Sequence, residues 1–69
     1  MNPITLHLNG EPCNIAADAC ISDLLREHGL HDKPVAVEVN REIIPRSLHA
    51  EHCLHDGDKV EIVHAIGGG

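Results

Sequence analysis

The chain opens with two short runs whose pattern predicts a β-hairpin. In "ITLHLNG" the apolar residues Ile4, Leu6 and Leu8 alternate with polar neighbours, which is strand periodicity. The stretch "NGEP" supplies turn residues, and a second short run, "CNIA", follows it. The two runs are therefore expected to pair as antiparallel strands joined by a tight turn.

A different spacing follows in "CISDLLREHGL". Here Ile21, Leu24, Leu25 and His28 recur at helical spacing. Gly29 follows them at the position where a helix commonly ends in a left-handed C-cap. The pattern predicts one amphipathic helix of about two turns. Cys20 occupies the N-cap position, where Ser or Thr is usual, so the start of the helix is predicted to be its weaker end.

The rest of the chain predicts three more strands. "VAVEVN" places three valines on one face, and "REIIP" is a shorter strand closed by Pro45. "RSLHAEHCL" predicts a loop with room for one helical turn, and "HDGD" predicts a turn. "KVEIVHAI" is then a last strand with Val60 and Ile62 directed inward. The predicted order is ββαββ-turn-β, in one unit without repeats or linkers.

Length and composition limit the kind of core that this unit can have. The 69 residues leave room for one small domain, and none of them is Phe, Tyr or Trp. A domain of this size buries only about 60% of the surface of its unfolded chain. We expect a core of Ile, Leu, Val and Ala and a modest stability, because the large burial of aromatic side chains is missing.

The charge balance argues against nucleic acid as a partner. The chain has 11 Asp and Glu against 5 Lys and Arg, a formal net charge of -6. This charge opposes a phosphate backbone, and without aromatic side chains the bases have nothing to stack on. We therefore expect no nucleic-acid partner.

Cysteine usage and the N-terminus favour a cytoplasmic location. Three cysteines are an odd number and are too few for a disulfide-stapled secreted scaffold. The segment "MNPITLHLNG" has no basic stretch followed by an apolar run, and no segment approaches the length of a membrane span. We expect a protein of the reducing cytoplasm that does not associate with membranes.

Four stretches together carry a resemblance to a known family: "NGEP", "ISDLL", "VAVEVNREIIPR" and "DGDKVEIVHAIGGG". Through them the whole chain resembles the bacterial sulfur carriers of the β-grasp, ubiquitin-like family, most closely those of the ThiS type. The terminal pair Gly68-Gly69 is the most specific element. The resemblance implies an α+β fold, the β-grasp, with a mixed sheet of about five strands packed on one helix. It also implies a domain over 1–66 and a tail over 67–69.

The physical chemistry of the tail agrees with this resemblance. Gly67, Gly68 and Gly69 have no side chains to pack, so the tail is expected to be flexible. Three extended residues span roughly 10 Å, enough to carry the α-carboxylate away from the domain into a partner's active site. A Cβ at position 68 or 69 would widen the tail, which predicts that a narrow approach to that site requires glycine.

The resemblance implies that the working group is the carboxylate of Gly69. In the family, an adenylating enzyme of the E1-like, ThiF type converts this carboxylate into an acyl-adenylate, and ATP and magnesium are bound by that partner. A sulfur donor, such as a cysteine desulfurase carrying a persulfide, then replaces AMP and leaves a thiocarboxylate. A thiazole synthase of the ThiG type uses the sulfur for the thiazole of thiamine. The chain is then a carried substrate without catalytic residues or cofactors of its own.

Strand five also suggests where a partner docks. If Val60 and Ile62 face the core, Val63 and Ala65 face outward and leave apolar surface beside the glycines. With Ile66, they form the predicted partner interface.

Two other groups of residues have reactive side chains. His49, His52 and His55 repeat every three residues, which in a 3₁₀ turn would align them as metal ligands. Because the segment is predicted to be mainly loop, solvated histidines are the preferred interpretation. The cysteines, Cys13, Cys20 and Cys53, show no pattern that would activate a thiol. Cys13 and Cys20 are interpreted as small buried apolar residues.

Three alternatives stay open. The small subunit of molybdopterin synthase shares the fold, the Gly-Gly ending and the thiocarboxylate chemistry, although it is usually longer and richer in aromatic residues. A ubiquitin-like modifier would instead use its tail to form isopeptide bonds with lysines. A metal-binding module built on the histidines is the third alternative.

Overall fold

The computed structural model describes residues 2–64, which form a five-stranded mixed sheet packed on one helix. The elements are β1 (Ile4–Leu8), β2 (Glu11–Ile15), α1 (Ile21–Glu27), β3 (Val35–Val39), β4 (Glu42–Ile44), a 3₁₀ turn (Arg46–Leu48) and β5 (Lys59–His64). The predicted element order is confirmed. The predicted end of the last strand at Ile66 and the glycine tail lie outside the described residues.

The last strand in sequence lies in the middle of the sheet. The strand order is β2-β1-β5-β3-β4, with β5 parallel to β1 and antiparallel to β3. Along the β3–β5 pair, Val39 lies opposite Val60 and Val35 lies opposite His64. β1 pairs with β5 only at Lys59 and Val60, whereas β3 pairs with β5 from Val60 through His64. The backbone that leads to His64 is therefore positioned mainly by β3.

Two tight turns with left-handed backbone conformations join the hairpins. Asn9 and Gly10 have φ angles of 51° and 87°, and they connect β1 to β2 as the "NGEP" stretch predicts. Asn40 and Arg41, with φ of 51° and 72°, connect β3 to β4 in the same way. Asn9 also bonds to β5, since its Oδ1 accepts the backbone N–H of Ile62 at 2.9 Å.

The core is entirely aliphatic, as the composition predicts. The inward faces of the sheet and one face of α1 meet in it, and the helix places Ile21, Leu24 and Leu25 against the strands. Among the described residues, the buried apolar side chains are Leu6, Ile15, Ala19, Ile21, Leu24, Leu25, Val37, Val39, Ile44, Leu54, Val60 and Ile62.

Asp23 forms hydrogen bonds with Cys20 at the start of α1. The carboxylate of Asp23 accepts the backbone N–H of Cys20 at 3.0 Å and its thiol at 3.3 Å. The N–H bond is the main reason that the pKa of Asp23 lies below its ordinary value, and the thiol and Arg26 lower it further. Asp23 thus supplies the N3 carboxylate of a capping box, a contact that the sequence analysis did not anticipate. The prediction that Cys20 is a weaker N-cap than Ser or Thr stays a prediction.

The end of α1 matches the expected glycine cap. Gly29 has a φ of 69°, and the N–H groups of Gly29 and Leu30 donate to the carbonyls of Arg26 and Leu25. His28 is exposed at the C-cap and takes no part in the buried face, contrary to its predicted place on the apolar stripe. Within residues 2–64, no helix is long and apolar enough to cross a bilayer.

Candidate functional site

The turn before β5 ties the start of this strand to two neighbouring parts of the sheet. On the β1 side, the Asp56 carboxylate accepts the backbone N–H of Thr5 at 2.8 Å, and Gly57 donates to the carbonyl of Thr5. On the other side, Asp58 accepts the side-chain amide of Asn40 at 3.0 Å. The "HDGD" stretch therefore sets the position from which β5 runs towards the end of the chain.

Exposed apolar side chains lie on the outward face of the sheet near the end of β5. Val63 is 55% exposed, and Ala36 lies directly opposite it on β3. Ile43 on β4 is 68% exposed and lies opposite Glu38. Opposed residues, and residues two apart on a strand, share a face of the sheet. Val63, Ala36 and Ile43 therefore form one surface, here called the outer patch.

An acidic pair borders the outer patch. Glu61 on β5 lies directly opposite Glu38 on β3, on the same face as Val63. Like charges in this arrangement repel each other, and Lys59, two residues before Glu61 on the same exposed face of β5, is a cation that reduces this repulsion. A partner that covers this face would be complementary if it offered apolar groups at the centre and basic groups at the edge.

The predicted site residues divide between described and undescribed parts of the chain. Val63 lies on the outward face of β5, as the alternation of the strand requires. His64, the last described residue, follows it opposite the first residue of β3. The other members of the predicted interface and tail lie outside the described residues: Ala65, Ile66, Gly67, Gly68 and Gly69.

The three histidines do not share one helical face. The 3₁₀ turn ends at Leu48, before the first of them. His49 is only 5% exposed, and its Nε2 bonds to the carbonyl oxygen of Ile44 at 2.9 Å. His52 is half-buried and His55 is exposed. The interpretation of all three as solvated is wrong for His49, which packs against the end of β4 and satisfies a backbone carbonyl there.

The structure describes no cluster of metal-binding side chains within residues 2–64. All three cysteines are free thiols. Cys13 and Cys20 are half-buried and not buried as predicted, because each lies at the margin of the core, and Cys53 is exposed. Cys20 and Cys53 face each other across an isolated antiparallel bridge, a contact that the sequence does not predict.

Sequence reasoning also missed Ile43 and Ala36 as surface residues. A signal for Ile43 was present, because adjacent strand residues point to opposite faces and "REIIP" contains two consecutive isoleucines. Since Ile44 is buried, Ile43 must be exposed. Only the strand order places it on the same surface as Val63.

Comparisons with known proteins agree with this architecture. The model of the ThiS family matches residues 6–69. The sulfur carrier protein ThiS of Bacillus subtilis is 45% identical over 65 residues, which cover 93% of this chain and 98% of that protein. The crystal structure of the thiamine biosynthesis protein ThiS from Geobacter metallireducens superimposes with a TM-score of 0.83 at 30% identity, over 96% of this chain and 100% of that one.

A longer relative contains a similar segment. A thiazole synthase of Paramagnetospirillum magneticum is 48% identical over 64 residues, which are 93% of this chain. The chain spans only 20% of the length of that protein. The match to the family model over most of the chain, the β-grasp fold and the full-length similarity to small carriers agree with one another, and the chain belongs to the ThiS family.

Proposed function

We propose that this chain is a sulfur carrier of thiamine biosynthesis and that its working group is the α-carboxylate of Gly69. The observation that carries the proposal is the match to the ThiS family model, which extends through residue 69 and so includes the Gly-Gly pair. The similarity to small carriers over nearly their whole length supports it. The chain is then modified by other enzymes and is not itself an enzyme.

The chemistry follows from the low reactivity of a carboxylate. Its resonance makes the carbon a poor electrophile, so a ThiF-type partner first transfers AMP from ATP to the Gly69 carboxylate and releases pyrophosphate. Magnesium and ATP are held by that partner. The terminal sulfur of a persulfide, supplied by a cysteine desulfurase, then attacks the acyl carbon and AMP departs. After a thiol cleaves the remaining sulfur–sulfur bond, Gly69 carries a thiocarboxylate.

The thiazole synthase is the proposed acceptor of this sulfur. A relative named thiazole synthase contains a segment similar to this chain in the same polypeptide. Such an arrangement is expected if the carrier and the synthase act on one sulfur atom, because covalent linkage raises the effective concentration of each for the other.

The outer patch and the tail are the proposed contacts with the adenylating partner. Residues 1–66 form the domain in this proposal, and residues 67–69 are the flexible tail that enters the partner's nucleotide site. Val63, together with Ala65 and Ile66, lies next to that tail in sequence. A partner that binds the exposed apolar side chains of the outer patch would hold the domain while the tail reaches inward.

A pair of growth assays tests the thiamine assignment against the molybdopterin alternative. Expression of the full chain in a bacterial strain that lacks its ThiS-type carrier should restore growth without added thiazole. In a strain that lacks the small subunit of molybdopterin synthase, the chain should not restore molybdoenzyme activity. The reverse pair of results would contradict the proposal, and conjugation of the chain to lysines in either strain would favour a modifier.

A further inference from the structure

The isolated bridge between Cys20 and Cys53 brings two thiols together that are far apart in sequence. The backbone N–H of Ile21 donates to His52 at 3.1 Å, and that of Leu54 donates to Ala19 at 3.0 Å. These two bonds flank the cysteines, so the cysteines form a non-hydrogen-bonded antiparallel pair. In such pairs the Cα atoms lie about 4.5 Å apart, and the side chains are on the same side.

The backbone at this bridge meets the geometric requirement for a disulfide. Disulfides span Cα–Cα separations of about 4.4 to 6.8 Å, so the two positions can be joined without backbone movement. The neighbours Ala19, Ile21 and Leu54 are all buried in the core. Because adjacent residues of an extended chain alternate in direction, the two cysteines point away from that core. The burial of these neighbouring residues fixes the backbone on both sides of the bridge.

Both thiols are available for reaction. Cys53 is exposed, and its sulfur lies 4.0 Å from the carbonyl oxygen of Glu51, a weak contact. Cys20 is half-buried and directs its thiol to Asp23 at 3.3 Å. Rotation about one side-chain bond would free this sulfur. The backbone N–H of Cys20 would keep its bond to the Asp23 carboxylate, so this half of the capping box would survive.

The third cysteine has no such partner. Cys13 lies on β2 opposite Leu6, and its sulfur is 3.8 Å from the ring of His28 at the C-terminal end of α1. Cys20 precedes the other end of that helix. A helix of this length separates the two ends by about 10 Å, beyond the reach of a disulfide.

We propose that Cys20 and Cys53 form a reversible intramolecular disulfide in the presence of a small-molecule disulfide of the glutathione class. The Cys53 thiolate attacks one sulfur of that oxidant and releases one thiol, leaving a mixed disulfide on Cys53. The Cys20 thiolate then attacks the Cys53 sulfur and expels the second thiol. The two protein thiols lose two electrons and two protons, and the oxidant is reduced to two thiols.

The bond would connect two distant parts of the domain. It links the start of α1 to the segment before β5 and encloses α1, β3 and β4 in one covalent loop. A cross-link of this kind restricts the unfolded chain and stabilises the folded one, with a larger effect for longer loops. Because the small aliphatic core provides only a modest stability, the cross-link would add a large fraction to the free energy of unfolding.

Oxidation of the full chain in glutathione buffers tests the proposal. As the proportion of glutathione disulfide rises, the intact mass should fall by two hydrogen atoms. The midpoint of thermal unfolding should rise by roughly 10–20 °C, and dithiothreitol should reverse both changes. An Asp-specific protease cuts at Asp18, between Cys13 and Cys20, so peptide mapping without reduction should identify a link from Cys20 to Cys53.

Single substitutions provide matched controls. Cys13→Ser should respond to oxidation as the unaltered chain does, whereas Cys20→Ser and Cys53→Ser should neither form the internal bond nor gain stability. Both of these variants should fold, since serine is a favoured N-cap and position 53 is exposed. A link that maps to Cys13, or glutathione adducts on the unaltered chain without an internal bond, would overturn the proposal.

Discussion

Deletion of Gly69 is expected to reduce thiocarboxylate formation at least 100-fold, below detection in a standard incubation. Removal of one extended residue withdraws the terminal carboxylate by roughly 3.5 Å. A displacement of even about 1 Å at a reacting group can cost a factor of about 100 in rate. Addition of a glycine after position 69 should have the same effect, because the carboxylate then passes beyond the position where the adenylate forms. Mass spectrometry of the intact chain measures both variants.

One added glycine before Met1 is the matched control for these two variants. It changes the chain length by the same amount but leaves the carboxylate in place, so the sulfur gain should equal that of the unaltered chain. If the chain that ends at Gly68 is modified at the normal rate, the partner tolerates a shorter tail. The proposed role of Gly69 would then be wrong.

Val63→Asp is expected to weaken binding to the adenylating partner about tenfold or more while leaving the fold intact. Val63 is 55% exposed and outside the core, so its replacement should remove little of the buried apolar surface. A carboxylate at this position would have to be desolvated against the partner's apolar groups, and it would add to the charge of Glu38 and Glu61. Calorimetric titration measures the affinity, and circular dichroism checks the fold.

Leu48→Asp controls for the added charge. Leu48 is 44% exposed, but it lies in the 3₁₀ turn and not on the sheet. Its substitution introduces the same carboxylate at another exposed apolar position and should change the affinity less than twofold. An equal loss in both variants would mean that net charge alone weakens binding. Unchanged affinity in Val63→Asp would place the docking surface elsewhere.

Local patterns were sufficient to predict the order of strands and helix along the chain, and the resemblance to the family supplied the β-grasp. Alternation in β1 and β5 determines which residues face inward, and Leu6, Val60 and Ile62 are buried accordingly. The turn at Asn9 and the left-handed Gly29 are set by the conformations that those residues tolerate. The assignment to the family is confirmed as well, because its distinguishing stretches run through the whole chain.

Local sequence patterns could not predict the contacts between segments that are far apart in the chain. His49 follows a 3₁₀ turn in an irregular segment, and its burial depends on where that segment packs against the end of β4. The Cys20–Cys53 bridge depends on the path of the chain around α1. Ile43 could be predicted as exposed, but its place beside Val63 requires the strand order β5-β3-β4.

Formation of a thiocarboxylate at Gly69 is the most direct test of the sulfur-carrier account. The full chain is incubated with its adenylating partner, ATP, magnesium and a persulfide donor, and its intact mass and fragments are then measured. The account predicts a gain equal to the mass difference between one sulfur and one oxygen atom, located on the C-terminal peptide. The gain should persist when Cys13, Cys20 and Cys53 are all replaced by alanine. No gain, or a gain that maps to a cysteine peptide, would contradict the account.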